Sequence, residues 1–315
     1  MLARCHEHVI ATATAGDGDQ RAYAEAFRAE RCWHPSGSVG CRQYRARMHR
    51  TLVWTGKGGT GKTTTVANAG PELARLGYRV LMVGFDPQGD LEATFGIEDA
   101  DPDIIRVEQL LAGGIDPHTA TVPIDLGDVG EGSLRLLACS SDLNAATTAV
   151  ARRNFEDLDR LLETFDDVDL ALVDAQGAFT PISHTAARAA DSVLFTMEPG
   201  YYEYRALLRR LADLEDLSRE EDWTIAPLGV LFVRTDSRSR DMREYREHFA
   251  DAQAFGGEPL YVFTAHTRQQ GSVRDHPRLG RPTVLAEPAS NVAADYRAVA
   301  AELVARIAQS AGAPA

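Results

Sequence analysis

Short apolar runs alternate with longer amphipathic stretches along the chain from residue 51 onward. Thr51-Leu52-Val53-Trp54 opens the series, and Arg79 to Gly84, Leu134 to Ala138, Leu170 to Asp174, Ser192 to Thr196, Leu228 to Val233 and Leu260 to Phe263 continue it. Runs that stay apolar without alternating suit strands covered on both faces. Between them, helical patterns cover Phe155 to Phe165, Glu203 to Leu217, Asp241 to Phe249 and Ala293 to Gln309. The succession predicts an α/β fold, a doubly wound, mostly parallel sheet with helices on both faces. Gly70-Pro71 conflicts with it locally, because it interrupts the helical segment after the first run. An interior proline costs about 3 kcal/mol, so a kink or early break is predicted there.

The segment joining the first run to that helix carries the chemistry. Thr55-Gly56-Lys57-Gly58-Gly59-Thr60-Gly61-Lys62-Thr63-Thr64 has the strand, glycine loop and helix order of a phosphate-binding loop. Gly58, Gly59 and Gly61, with Thr60 among them, let backbone N–H groups turn toward anionic oxygens, and the helix starting near Lys62 adds its positive end. Lys62 is placed for the β- and γ-phosphates of a nucleotide and the Thr63 hydroxyl for Mg²⁺. Thr64 closes the motif. Lys57 is an extra cation, either a solvated loop lysine or a second contact to the phosphates.

Two carboxylates end other predicted strands. Asp86, in Val83-Gly84-Phe85-Asp86-Pro87-Gln88-Gly89-Asp90, emerges at the sheet end where doubly wound folds bind ligands. It can orient an attacking water or hold Mg²⁺ through one, or simply cap an Asp-Pro turn. Leu170-Ala171-Leu172-Val173-Asp174 is an apolar strand ending in a carboxylate, which sets a negative charge beside Mg²⁺.

Lys57-Gly58-Gly59-Thr60-Gly61-Lys62-Thr63 resembles the deviant Walker A box of the ParA/MinD family of dimeric ATPases. The segment around Asp86 is similar to that family's Asp-x-Asp-Pro-Gln-Gly-Asn box, with Gly84 in place of the first aspartate. Asp174-Ala175-Gln176-Gly177 stands for its Asp-x-Pro-Pro, and Thr264-Ala265 for the Pro-Arg near its base pocket. Gly229 to Arg238 and Arg268 to Pro282 resemble ParA segments, and Tyr296-Arg297 with the helix after it resembles that family's C-terminal helix, so the resemblance extends over about residues 49 to 309. It implies ATP and Mg²⁺ as cofactors and a homodimer glued by sandwiched ATP, with Lys57 reaching the partner's nucleotide and Asp86 positioning water. It further implies an ATPase switch for DNA partition or intracellular positioning that binds DNA non-specifically and is stimulated by a ParB-like protein. A MinD-like ATPase acting on a membrane or protein surface, and a P-loop synthase acting on a metabolite, are the alternatives.

Composition narrows this picture. Against 33 Lys and Arg stand 46 Asp and Glu, a net charge of −13, so any DNA contact has to be a local basic patch. Arg234, Arg238, Arg240, Arg243 and Arg246 form one cationic segment and Arg268, Arg274, Arg278 and Arg281 another. Asp236, Asp241 and Glu244 interleave with the first, which equally fits a solvated mixed-charge face. Arg238 and Arg268 are the candidates for DNA contact.

Residues 1–47 lack a sustained apolar period, and Cys5, Cys32 and Cys41 show no paired metal spacing. They are expected to form a poorly ordered or small helical extension, or to reflect an upstream start, ahead of the ATPase domain at 48–315. No basic-then-apolar leader opens the chain, and no apolar run approaches the ~20 residues of a membrane span. The expected location is the cytoplasm, at the nucleoid if DNA is bound, with no membrane partner.

Overall fold

Each apolar run becomes a strand in the computed structural model, which describes residues 47–99, 101–127, 131–143, 156–221, 223–236, 240–251, 253–255 and 258–311. The strands are β1 (His49–Trp54), β2 (Arg79–Phe85), β3 (Thr121–Pro123), β4 (Ser133–Leu137), β5 (Leu170–Ala175), β6 (Ser192–Met197) and β7 (Ala226–Thr235). A short hairpin, β8 (Gln253–Phe255) and β9 (Glu258–Pro259), precedes β10 (Val262–Arg268). The helices are α1 (Lys62–Arg75), α2 (Asp90–Thr94), α3 (Val107–Ala112), α4 (Asp157–Glu163) and α5 (Pro181–Arg188). They continue with α6 (Tyr201–Glu220), α7 (Arg240–Asp251), α8 (Ser272–Asp275), α9 (Thr283–Ala286) and α10 (Asn291–Ala311).

The main sheet runs β10-β7-β6-β1-β5-β2-β4-β3, and only β3 is antiparallel to its neighbour. β1 pairs with β5 on one side and β6 on the other, so the chain builds outward in both directions around it. The carboxyl end of β1 is therefore the switch point, where such sheets bind ligands.

Alternate residues of each strand feed two cores. Leu52, Trp54, Val173 and Phe195 face a layer made by Leu158 of α4, Ile182 of α5, Leu207 and Leu211 of α6 and Phe249 of α7. Val53, Leu172 and Leu194 face the other, made by Val66 and Leu73 of α1, Leu91 of α2 and Tyr296 and Leu303 of α10. Because both faces are covered, the strands read as unbroken apolar runs rather than alternating ones.

Two expectations change, and β3 adds to them. α1 is not broken at Gly70-Pro71 but runs on to Arg75. The clash that normally keeps the residue before a proline out of the helical region involves its Cβ, which Gly70 lacks. The last strand is Val262–Arg268 rather than Leu260 to Phe263. It lies at the sheet edge, where Thr264, His266 and Arg268 can face outward, so its polar half escaped an apolar-run criterion. The antiparallel β3 was not anticipated, being three residues long and ending in a proline tolerable only at an edge. The assignments for residues 1–46 lie outside the described residues. Among those described, no helix is long and apolar enough to cross a membrane.

Candidate active site

The loop from Thr55 to Gly61 is wound around two hydroxyls. Thr55 Oγ1 donates to the Thr196 carbonyl at 3.0 Å and accepts from the Lys57 N–H at 3.3 Å, while a close contact joins it to Thr60 Oγ1. Thr60 in turn reaches the Lys57 carbonyl at 3.1 Å. Gly59 and Gly61 both sit at φ 78°, in the left-handed region that favours glycine. Gly56 is required for a different reason: a Cβ there would overlap the backbone of Ala206 and Leu207 in α6. Gly61 ends the loop as the residue before α1, whose first N–H groups carry no side-chain cap and remain available to an anion.

Lys62, Thr63, Asp86 and Asp174 converge beneath this loop. Asp174 at the end of β5 is 1% exposed, and its Oδ1 has no hydrogen-bond partner. Burial pushes its carboxyl up to about 7, against the pull of the Lys62 ammonium and the Thr63 hydroxyl, while Asp86 and Glu92 add to the rise. A buried carboxylate oxygen without a partner is a site that a divalent cation would satisfy, so the donor set of Thr63 and Asp174 fits Mg²⁺. Asp86 is half-buried just past β2, its Oδ1 accepting from the Gln88 N–H at 3.2 Å. Lys57, by contrast, stands exposed at the lip of the loop, its Nζ 2.7 Å from Glu203 of α6. That hydrogen bond and charge raise the Lys57 pKa.

Beside the start of α1 opens a cavity of about 260 Å³, lined by Gly61, Thr64, Arg234, Thr267, Arg268 and Tyr296 among others. Arg234 has φ 52° although it is not glycine, and its Nη1 donates to Glu198 at 2.6 Å. Such backbone costs about 1–3 kcal/mol and concentrates at ligand sites.

A family profile described as an AAA domain matches residues 50–224. The chromosome-partitioning ATPase Soj of Thermus thermophilus is 30% identical over 264 residues, covering 84% of this chain and 98% of that protein. The chain belongs to the ParA/Soj family of P-loop ATPases. The sporulation initiation inhibitor protein Soj of Bacillus subtilis is 28% identical over 256 residues, with 79% of this chain and 95% of that protein covered. The solved structure of cobyrinic acid a,c-diamide synthase from Mycobacterium smegmatis, with bound ATP analogue and magnesium, superimposes with a TM-score of 0.67 at 27% identity. That match covers 80% of this chain and 92% of the synthase.

Set in this ParA/Soj-type ATPase, the sequence-derived residues separate into groups. Gly58, Gly59, Thr60, Gly61, Lys62, Thr63 and Thr64 lie in one loop and the first turn of α1, with Asp86 and Asp174 at adjacent strand ends. Arg268 is not in the loop itself but lines the cavity beside α1, held in a bidentate pair with Asp295 of α10 at 2.7 and 2.8 Å. Arg238 lies outside the described residues. Thr264 and Ala265 do not line the cavity beside α1, whereas Arg234 and Thr267 do. Glu92 of α2 was missed altogether. Its carboxylate fills the space a side chain at Gly84 would take, accepts from the Cys139 N–H at 2.8 Å and lies within electrostatic reach of Asp174. The signal available in the sequence was a pair: a glycine where the family box carries aspartate, and an acidic residue one helical turn past Gly89.

Proposed function

We propose that this ATPase is a nucleotide-driven partition or positioning switch: MgATP makes it dimerise, the dimer holds DNA without sequence preference, and a partner protein stimulates hydrolysis to ADP and phosphate. The observation that carries this reading is the pairing of a complete phosphate loop with an outward-facing Lys57 at its lip. Buried Lys62 serves the bound nucleotide of its own chain, whereas Lys57 is on the surface and free to swing once Glu203 releases it. Backbone N–H groups of Gly58, Gly59, Thr60 and Gly61 cradle the phosphates, and Lys62 offsets their charge. Mg²⁺, when bound, neutralises charge on the phosphate oxygens; Thr63 and Asp174 are the residues placed to hold it, Asp174 directly or through water. Asp86 orients the attacking water. The cavity by Arg234 and Tyr296 takes the base. The Thermus Soj likeness supports partition as the task, and Arg268 is offered as a DNA contact that Asp295 would have to yield.

The test uses the Asp86→Ala protein, expected to bind ATP without hydrolysing it, and a fluorescent duplex of random sequence. Binding that needs ATP rather than ADP, weakens steeply with salt and disappears in Lys57→Ala supports the switch. Absence of binding with every nucleotide removes DNA from the cycle. The synthase likeness favours a second reading only if ATP turnover then depends on a small carboxylate substrate.

A further inference from the structure

Helix α6 touches the phosphate site through Glu203 and the Gly56 contact, and it carries one further side chain aimed the same way. The Arg210 guanidinium lies 4.9 Å from the ring centre of Trp54 and 5.4 Å from that of Phe179, and those two rings stack on each other 6.1 Å apart. Its Nη2 donates to the Gly177 carbonyl at 3.2 Å, its Nη1 donates to Asp213 at 3.2 Å, and its Nε has no partner. The side chain is only 11% exposed, and burial holds its pKa below the usual arginine range. Burying an incompletely paired cation is unfavourable, so packing alone would be better served by a leucine or methionine at this position.

What Arg210 holds is a short piece of backbone. Trp54 ends β1 immediately before the loop, and its Nε1 donates to the Gln176 carbonyl at 3.0 Å. Gln176 and Gly177 follow β5 and therefore Asp174. A Cβ built on Gly177 would stand 3.5 Å from Lys62 Nζ and 3.4 Å from Thr55 Cγ2, so this residue rests directly on the ammonium group of the phosphate loop. Glycine gives this stretch the freedom to wander, and the two carbonyl contacts remove that freedom.

We propose that Arg210 is a positioning residue for ATP hydrolysis: with Trp54 and Phe179 it clamps Gln176-Gly177 onto Lys62, fixing the backbone that borders the γ-phosphate. It touches neither nucleotide nor metal and acts through Gly177. The proposal rests on the loop at 55–64 being where ATP is hydrolysed.

The test compares Arg210→Ala and Arg210→Lys in a Trp33→Phe/Trp223→Phe background, in which Trp54 is the single tryptophan. Steady-state ATPase kinetics and Trp54 emission are followed against MgATP. A misplaced site residue costs far more in rate than in binding, so Arg210→Ala should lose about tenfold or more in kcat with KM within about twofold. Millimolar guanidinium should restore part of that kcat, while Arg210→Lys, which keeps the stem and charge but not the planar fork, stays slow. The MgATP-dependent change in Trp54 emission should be present in the parent and lost in Arg210→Ala. An unchanged kcat, a defect lying wholly in KM, or a kcat loss that guanidinium does not relieve overturns the clamp. A parent with the Trp54 response but no turnover would instead overturn hydrolysis at this loop and leave the emission of the variants to judge the clamp. A parent showing neither overturns both.

Discussion

Gly84 is a residue whose side chain has been supplied from elsewhere. The ParA-type box has aspartate at this place, and here the Glu92 carboxylate, 3% exposed, occupies the volume instead. Burial raises the Glu92 pKa, and the Cys139 N–H works against that rise. Gly84→Ala forces a methyl group into the carboxylate, an overpacking that costs roughly 1–3 kcal/mol. Glu92→Ala leaves a hole and an unpaired Cys139 N–H. The double variant should be more stable than the sum of the two losses predicts, because each change makes room for the other. Urea denaturation of the four proteins checks this, and strict additivity would show that the two residues do not share one space. The Cys139 thiol donates to the Asp86 carbonyl at 3.2 Å, so the loop bearing Asp86 is tied to the end of β4 by the same residue that anchors Glu92.

Among the elements, α10 decides how much of the basic surface is free. Asp295 accepts from Nε and Nη2 of Arg268 and also from its backbone N–H at 3.0 Å, and Glu302 two turns further along accepts from the N–H groups of Thr264 and Ala265 at 2.7 Å each. A run of arginines in the sequence thus overstates the charge available to a phosphate backbone. Asp295→Ala releases Arg268, and if that residue meets DNA in the ATP state, affinity should rise and the salt dependence steepen by about one phosphate contact. Fluorescence anisotropy across a salt series measures both, and an unaltered slope would remove Arg268 from the interface. The longer helices α4, α6, α7 and α10 were legible as elements from spacing, whereas the shorter α2, α3, α5, α8 and α9 were not. The continuation of α1 through Pro71 was not, since it depends on Gly70 having no Cβ and on burial against Met82 and Leu134.

For the whole molecule, the decisive contact is Lys57 with Glu203. The pair spans the loop and α6, it is half-exposed at Lys57, and it holds the lysine within its own chain. Any dimer in which Lys57 serves the partner's nucleotide has to break it first. Glu203→Gln keeps a hydrogen-bond acceptor but removes the opposing charge, so MgATP-dependent dimerisation of an Asp86→Ala protein should need less nucleotide and less protein. Light scattering over a concentration series reads this directly. Dimerisation weakened by Glu203→Gln would mean that Glu203 serves the dimer rather than the monomer. The exposed Tyr201 and Tyr202 at the start of α6, 57% and 74% accessible, lie beside this pair and offer apolar area for the same event.

The phosphate loop, the parallel sheet and the two strand-end carboxylates were readable in the chain because their signals are local. A glycine loop between a strand and a helix is written in consecutive residues, and a strand buried on both faces must be apolar throughout. The tertiary structure alone decided which distant residue fills the gap at Gly84, which helix side chain seats Gly177 on Lys62, and which arginines are already paired. Those contacts join residues brought together only by crossovers of the sheet, and no spacing along the chain encodes which side chains will meet there. The burial of Asp174 belongs to the same class: its type was evident from the strand, but the unpartnered oxygen that makes it fit for a cation exists only once β1, β2 and β5 are laid side by side.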